Sequence, residues 1–418
     1  MSALAKILLQ MGKKVGGCDR TDGEYLCELK KCGAEIAEER SADLSGYSVV
    51  VYTDAVSDAN SVLVAAKRQG KVIISRGNLL AEVSSVFRKT VAVAGCHGKT
   101  TCTAMITHVF ADAGMEFSSH IGGSDLTYSN GLLGGYDYFI TEACEYKRNF
   151  LCLKPDIAVI LNSDADHLDC YGTGEEVKKA YYSFAERAKE TVSLYGDLPK
   201  TDGITFGFDD RALYHAKKIS SESGRFSFIA YEGDNKLGRV NLSVYGKHNV
   251  LNALAAVATA RYCGIDFECV RQGLNSFSGV KRRFETIGTY NGARCIADYA
   301  HHPNEIKAAI KAARLVGDGN LFVVFQPHTY SRTKTLFKDF VSVLSQVKQL
   351  LIYKTFAARE YYDDGGSALT LSYAVKRSRY ADCIDDIFYF LRQARSGDVV
   401  LFLGAGDIYD IARNVTGV

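Results

Sequence analysis

Apolar residues recur along this chain at two spacings, one helical and one strand-like. In residues 2–11 (SALAKILLQM), Leu4, Ile7, Leu8 and Met11 fall on one helical face, and the polar turn KKVGG leads into a short strand ending at Asp19. SVVVYTDAV (48–56) and KVIISR (71–76) are apolar, β-branched runs, the pattern of buried parallel strands with a helix between them. Helix, strand, helix, strand is most of a nucleotide-type βαβ fold, but one that opens on its helix lacks the strand and glycine loop that ordinarily precede it. Residues 1–88 are therefore expected to form a small α/β domain without its first element.

The next run, TVAVAG (90–95), is a β-branched strand, and residues 101–113 carry Met105, Ile106, Val109 and Phe110 at helical spacing. Between them lies GCHGKTT (95–101), a glycine loop in the strand–loop–helix setting that phosphate binding requires. Backbone N–H groups of Gly95, Cys96, His97 and Gly98 would converge on phosphate, Lys99 would reach between phosphates, and Thr100, followed by Thr101, offers a hydroxyl to a magnesium ion. The longer form of this loop has a glycine where the chain carries Val93, so the match is to the short GxxGKT form.

Two further strands deliver carboxylates downstream. YFITEACEYK (138–147) ends in Glu142 and Glu145, and PDIAVILNSDADHLDCYG (155–172) runs into Asp164, Asp166 and His167. Mg²⁺ takes carboxylate, water and phosphate oxygens with an occasional imidazole, which makes Glu142 and His167 candidate ligands beside Thr100. Residues 174–189 form an amphipathic helix, and the segment around RFSFIAYE reads as an accessory antiparallel edge. YGKHNVLNALAAVATARYCG (245–264) is an apolar helix whose first turn carries Asn249 and Asn252, suited either to capping or to hydrogen-bonding a base or ribose. After the basic joint GVKRRFE, strand–loop–helix units repeat, placing Asp298, His301 and His302, then His328 and Arg332, then GAGD (404–407) at strand ends. The last third is therefore expected to be a parallel sheet with crossover helices and imidazoles on one rim.

Composition narrows the classes. At 418 residues and 47% hydrophobic, the chain is long enough for more than one core, since single cores stop growing near roughly 250–300 residues. The 50 Lys and Arg against 48 Asp and Glu give a net +2, so no field of one sign points to nucleic acid or a membrane surface. The 12 cysteines form no CxxC pair or dense scaffold, which suits reduced thiols in the cytoplasm. No apolar run approaches the roughly 20 residues of a membrane span, and no secretory pattern opens the chain.

With GCHGKTT, EACEY, NSDADHLD, GKHNVLNALAA, GVKRRFE, DYAHHPNEI, FQPHTYSR and GAGDI in this order, the chain resembles the Mur ligase family over nearly its whole length. The resemblance implies an α/β protein of three domains: an incomplete Rossmann-like UDP-sugar domain (1–88), a central P-loop ATPase-type domain (89–284) and a C-terminal Rossmann-like domain (285–418). It implies ATP and Mg²⁺ as cofactors and cytoplasmic cell-wall precursor synthesis. The reaction would be amide formation between UDP-N-acetylmuramate and L-alanine through an acyl phosphate. Lys99 would pair with phosphates; Thr100, Glu142 and His167 would hold the metal; Asn249, Asn252, Arg283 and Asp298 would face the nucleotide. His301, His302, His328 and Arg332 would lie by the reacting groups, and Asp19, Thr53, Ala55 and Arg76 would remain to line the UDP site. Small molecules would be the partners, with a monomer or weak homodimer and neither nucleic acid nor membrane. The family's first domain ordinarily opens with a glycine-rich strand and loop absent here, and Lys178 and Lys179 do not reproduce the modified-lysine segment of some relatives. A tripeptide-recycling ligase and a catalytically weak nucleotide-binding relative are the alternatives.

Overall fold

The computed structural model describes residues 1–19, 23–39, 42–54, 56–164, 168–198 and 203–418. They form two compact units: Met1–Lys218, Phe228–Val240 and Leu251–Phe277 make the first, and Ile219–Ser227, Asn241–Val250 and Ser278–Val418 the second.

The first unit begins with α1 (Ser2–Gln10), β1 (Gly16–Gly17), α2 (Glu24–Lys31) and β2 (Glu35–Ile36), followed by β3 (Val49–Tyr52), α3 (Ser61–Arg68), β4 (Val72–Ser75) and α4 (Arg76–Ser85). β1 pairs with β2 and β3 with β4, both in parallel, as two separate two-stranded sheets. The strand expected to end at Asp19 is only Gly16–Gly17. β3 and β4 are less buried than their composition predicts: Val50 is covered by Leu63 and Ala66 of α3, whereas Val49 and Val72 are exposed. Although α3 and α4 both contact it, a sheet of only two strands has too little area for its outer residues to be covered. α1 instead contributes Leu4 and Ile7 to a core with Leu80, Phe87, Ala92, Ala94 and Phe139. Lys6, on the same helix, is buried too, because Glu28 at 2.6 Å and Asn130 at 2.9 Å receive its ammonium.

The central elements are β5 (Lys89–Ala94), α5 (Lys99–Asp112), β6 (Phe117–Asp125), β7 (Ser129–Leu133), β8 (Tyr138–Glu142), β9 (Ile157–Ile160), α6 (Leu168–Tyr171), α7 (Gly174–Ala185), β10 (Glu190–Leu194), β11 (Ile204–Gly207), β12 (Tyr214–Glu222), β13 (Arg225–Glu232), β14 (Asn235–Tyr245), α8 (His248–Tyr262) and α9 (Phe267–Ser276). The strands form one sheet in the order β14-β13-β12-β11-β10-β9-β5-β8-β6-β7. β5 lies between β9 and β8, parallel to both, so the loop after it opens between the ends of its two neighbours. That is the switch point where open α/β sheets place ligands. β12, β13 and β14 follow one another through two-residue turns, which only antiparallel neighbours permit, as the RFSFIAYE pattern predicts.

The second unit carries β15 (Glu285–Tyr290), β16 (Ala293–Asp298), α10 (Pro303–Ala313), β17 (Leu321–Phe325), α11 (Tyr330–Thr335), α12 (Phe337–Leu344), β18 (Gln349–Tyr353), α13 (Ala368–Ala374), β19 (Ser378–Ala381), α14 (Ile384–Leu391), β20 (Val399–Leu403) and α15 (Ile408–Thr416). Its sheet runs β15-β16-β20-β17-β18-β19, parallel except for β15. Fully buried strands alternate their side chains between two helix-covered cores, Ile296, Val323 and Leu401 on one face and Cys295, Val324 and Phe402 on the other. Asp298, Gln326 and Gly404 consequently emerge at one edge.

Candidate functional site

Gly95 and Gly98 bracket the loop after β5 with φ of +150° and +86°, values that glycine alone adopts readily. A Cβ on Gly98 would lie 2.5 Å from Asn252 Oδ1 on α8, so the loop backbone passes directly against that amide. Asn162, just after β9, grips the loop from the other side: its Oδ1 accepts from His97 N at 3.0 Å and its Nδ2 donates to His97 O at 2.9 Å. Cys96 Sγ is buried, 3.0 Å from Asp164 O and 3.5 Å from Tyr181 Oη. α5 begins at Lys99, which leaves Thr100, buried, in its first turn.

Lys99 Nζ lies 2.6 Å from Gly95 O and 2.9 Å from both carboxylate oxygens of Glu145. Burial works against the ammonium, but the Glu145 carboxylate overrides it and holds the Lys99 pKa above the ordinary lysine value. Glu142, at the end of β8, accepts from Gly122 N. Glu142 at the strand end and Glu145 three residues beyond it thus have different partners. The oxygens of Thr100 and Glu142 are of the hard type that Mg²⁺ takes. His167, the third expected ligand, lies outside the described residues, as do Asp166 and Ala55.

Of the remaining residues expected at the UDP site, Thr53 follows β3 and Arg76 opens α4. Arg76 and Asp19 both act on the α-amino group of Met1, whose pKa falls to about 6, first through burial and then through the like charge of Arg76. His120, buried and 2.9 Å from Thr141 Oγ1, is held well below the usual histidine range by burial and then by Arg76.

In the second unit, His301, His328 and Arg332 meet at the sheet edge, with the two imidazole rings 6.0 Å apart. Tyr299 O, 2.9 Å from His301 Nδ1, can only accept, so that nitrogen carries the proton and Nε2 keeps its lone pair. Arg332 Nη1, 3.2 Å from His328 Nδ1, can only donate, so the His328 proton sits on Nε2. Burial, then Arg332 and His301, lower the His328 pKa to about 4; burial also lowers that of His301, with Glu305 opposing. Both rings are therefore neutral near pH 7, one a base and the other a donor. His302 is placed differently: its ring caps α10, accepting from Asn304 N at 3.3 Å, while Glu305 completes the capping box.

Arg283 lies over the Tyr299 ring at 5.2 Å. Asp298 accepts from Phe284 N at 2.8 Å and Ala300 N at 2.7 Å, tying the stretch before β15 to the end of β16. Burial pushes its pKa up to about 6, against the pull of Arg283. A carboxyl whose folded pKa is raised adds stability below its unfolded pKa and loses it as pH rises through the folded value. Asp298→Asn is accordingly expected to flatten the fall in unfolding free energy between pH 4 and 6.5, measured by urea titration across that range.

Sequence reasoning did not find Asn162 or Gln326, and it read Arg282 only as part of a basic run suited to a solvated face or to phosphate charge. Gln326 donates to Asp407 Oδ1 at 2.6 Å and accepts from Ile408 N at 3.2 Å, while Arg282 donates to Gly406 O at 2.6 Å. Together they fix the GAGD loop. Their only sequence signal is a polar residue immediately after an apolar strand or inside a basic run. Asn249, on the first turn of α8, donates to Tyr245 O at 2.7 Å.

Three family descriptions match successive parts of the chain: the Mur ligase catalytic domain over residues 1–88, the Mur ligase middle domain over 93–260 and the Mur ligase glutamate ligase domain over 282–406. The UDP-N-acetylmuramate--L-alanine ligase of Clostridium acetobutylicum is 39% identical over 99% of this chain and 94% of its own length. That of Aquifex aeolicus is 39% identical over 98% and 93%. The crystal structure of the UDP-N-acetylmuramate-alanine ligase of Thermotoga maritima covers the whole chain and 96% of its own with a TM-score of 0.85 at 26% identity. The alternating sheet-and-helix architecture, the phosphate loop and these full-length likenesses agree: the chain belongs to the Mur ligase family.

Proposed function

We propose that this protein is an ATP-dependent ligase that joins L-alanine to a carboxylate of UDP-N-acetylmuramate in peptidoglycan precursor synthesis. The γ-phosphoryl group of ATP passes to the carboxylate, giving ADP and an acyl phosphate; the alanine amine attacks the acyl carbon and loses a proton, and phosphate leaves as the amide forms. The observation that carries this reading is the 39% identity through 99% of the chain with a curated ligase of that activity, a span that includes both the phosphate loop and the His301–His328–Arg332 edge.

In this reading the backbone of residues 95–98 and Lys99 hold the phosphates, and Asn252 stands beside the loop for the nucleoside. Thr100, Glu142 and His167 would hold Mg²⁺, whose charge offsets that of the transferring phosphoryl group. Arg332, a fixed cation, suits the alanine carboxylate; the free Nε2 lone pair of His301 suits the amine proton, and the His328 Nε2–H suits a developing oxyanion. Asp19, Thr53, Ala55 and Arg76 are assigned to the UDP-sugar. The three-domain division at 88 and 284, a cytoplasmic location and a monomer or weak homodimer complete the proposal. No described helix is long and apolar enough to cross a membrane.

Phosphate release from Mg-ATP is the test, with UDP-N-acetylmuramate and L-alanine, the L-Ala-D-Glu-meso-diaminopimelate tripeptide, or no acceptor. Release is expected only with the sugar nucleotide and L-alanine together. Dependence on the tripeptide would instead make the protein a recycling ligase, and nucleotide binding without turnover a weak relative.

A further inference from the structure

Lys99 finds acceptors for its ammonium within the chain itself. An ammonium has three donors, and here they meet Gly95 O at 2.6 Å, the Glu145 carboxylate at 2.9 Å and Cys96 O at 3.4 Å. The pair is nearly dry: the Glu145 side chain is 2% exposed and that of Lys99 16%. Glu145 does not come from a strand. It stands three residues beyond β8, where Tyr171 Oη donates to its carbonyl at 2.5 Å and Arg148 N donates to the same carbonyl at 2.8 Å. Two and three residues after it, Lys147 and Arg148 both take left-handed backbone conformations, with φ of +50° and +59°. Two successive non-glycine residues in that region form a strained turn, and such strain gathers where a side chain is held for a purpose.

We propose that Glu145 is a positioning residue for the phosphate loop: its carboxylate occupies the place on Lys99 that a phosphate takes, so nucleotide entry is an exchange of anions. This rests on the reading that the loop binds a nucleotide. Two anions cannot share one buried ammonium without repulsion, and it is the Glu145 carboxylate, with both oxygens 2.9 Å from Lys99 Nζ, that holds this place. Glu145 therefore pairs with the buried lysine and lowers the affinity for any nucleotide whose β-phosphate reaches Lys99. Weakened affinity of this kind favours release of ADP after each turnover.

Binding of ADP and of AMP to the full chain, in EDTA, tests this by calorimetry. Glu145→Gln removes the competing charge and keeps the shape, so ADP is expected to bind about tenfold more tightly, with AMP unchanged. The melting temperature without nucleotide should fall, since Lys99 loses its counter-charge, and the rise on adding ADP should be larger than in the wild type. Tyr171→Phe, which removes one of the two donors on the Glu145 carbonyl and so loosens its hold, is expected to move ADP affinity in the same direction by about threefold, and carries the test if the first variant does not fold. Equal or weaker ADP binding by the folded variants, or an equal gain for AMP, overturns the proposal. If the wild type binds no ADP with or without Mg²⁺, the nucleotide reading itself fails and this inference falls with it.

Discussion

Lys99→Ala is expected to lower kcat/KM for ATP by about 10²–10³-fold, the loss typical of removing one preorganised partner of a developing charge. The same change leaves the Glu145 carboxylate buried with no cation on it, and breaking a buried pair from one side costs about 3–5 kcal/mol. Activity and stability therefore fall together in the single variant, and urea unfolding beside phosphate release separates them. In Lys99→Ala/Glu145→Gln the uncompensated charge is gone, so stability should return while activity stays low. Recovery of activity in the double variant would show that Lys99 matters only as the partner of Glu145.

Arg332→Ala is expected to raise the KM for L-alanine by about 10–100-fold, the size of a charge-assisted hydrogen bond to a carboxylate, with the KM for UDP-N-acetylmuramate unchanged. The geometry adds a second readout. Arg332 donates to His328 Nδ1 and its charge helps hold the His328 pKa near 4. Without the guanidinium, His328 should titrate at higher pH, visible in the NMR shifts of its ring protons, and its Nε2 proton should no longer be fixed in place. Arg332→Lys keeps a charge but loses the planar fork, and should fall between wild type and alanine in both measurements. A raised alanine KM with an unmoved His328 titration would separate carboxylate binding from imidazole positioning.

Much of the fold was legible in the order of residues. The strand and helix flanking GCHGKTT, the helix at the amino terminus, the β3–α3–β4 unit and the repeating strand–loop–helix of the second unit all follow from hydrophobic periodicity, because each buries a face matching its own period. The reading failed where burial is not local. The runs of β3 and β4 have the composition of fully covered strands, yet only two strands pair there, and their outer residues stay exposed. Lys6 sits inside a core that no helical pattern would give to a lysine, because Glu28 and Asn130 arrive from elsewhere in the chain.

The candidate site divides in the same way. Which groups can do chemistry was readable: a glycine loop with lysine and threonine, carboxylates at strand ends, imidazoles at the edge of a parallel sheet. Those are properties of residue type and of position relative to a strand end, and both are local. How the groups are used was decided by tertiary contacts. Of two adjacent histidines, His302 caps a helix while His301 turns to Tyr299 O; of two carboxylates in EACEY, Glu142 meets Gly122 and Glu145 meets Lys99. The sequence by itself determined the inventory and the strand ends that carry it. Only the folded chain decided the pairing, the protonation and the burial of each group, because those depend on what distant segments bring within hydrogen-bond reach.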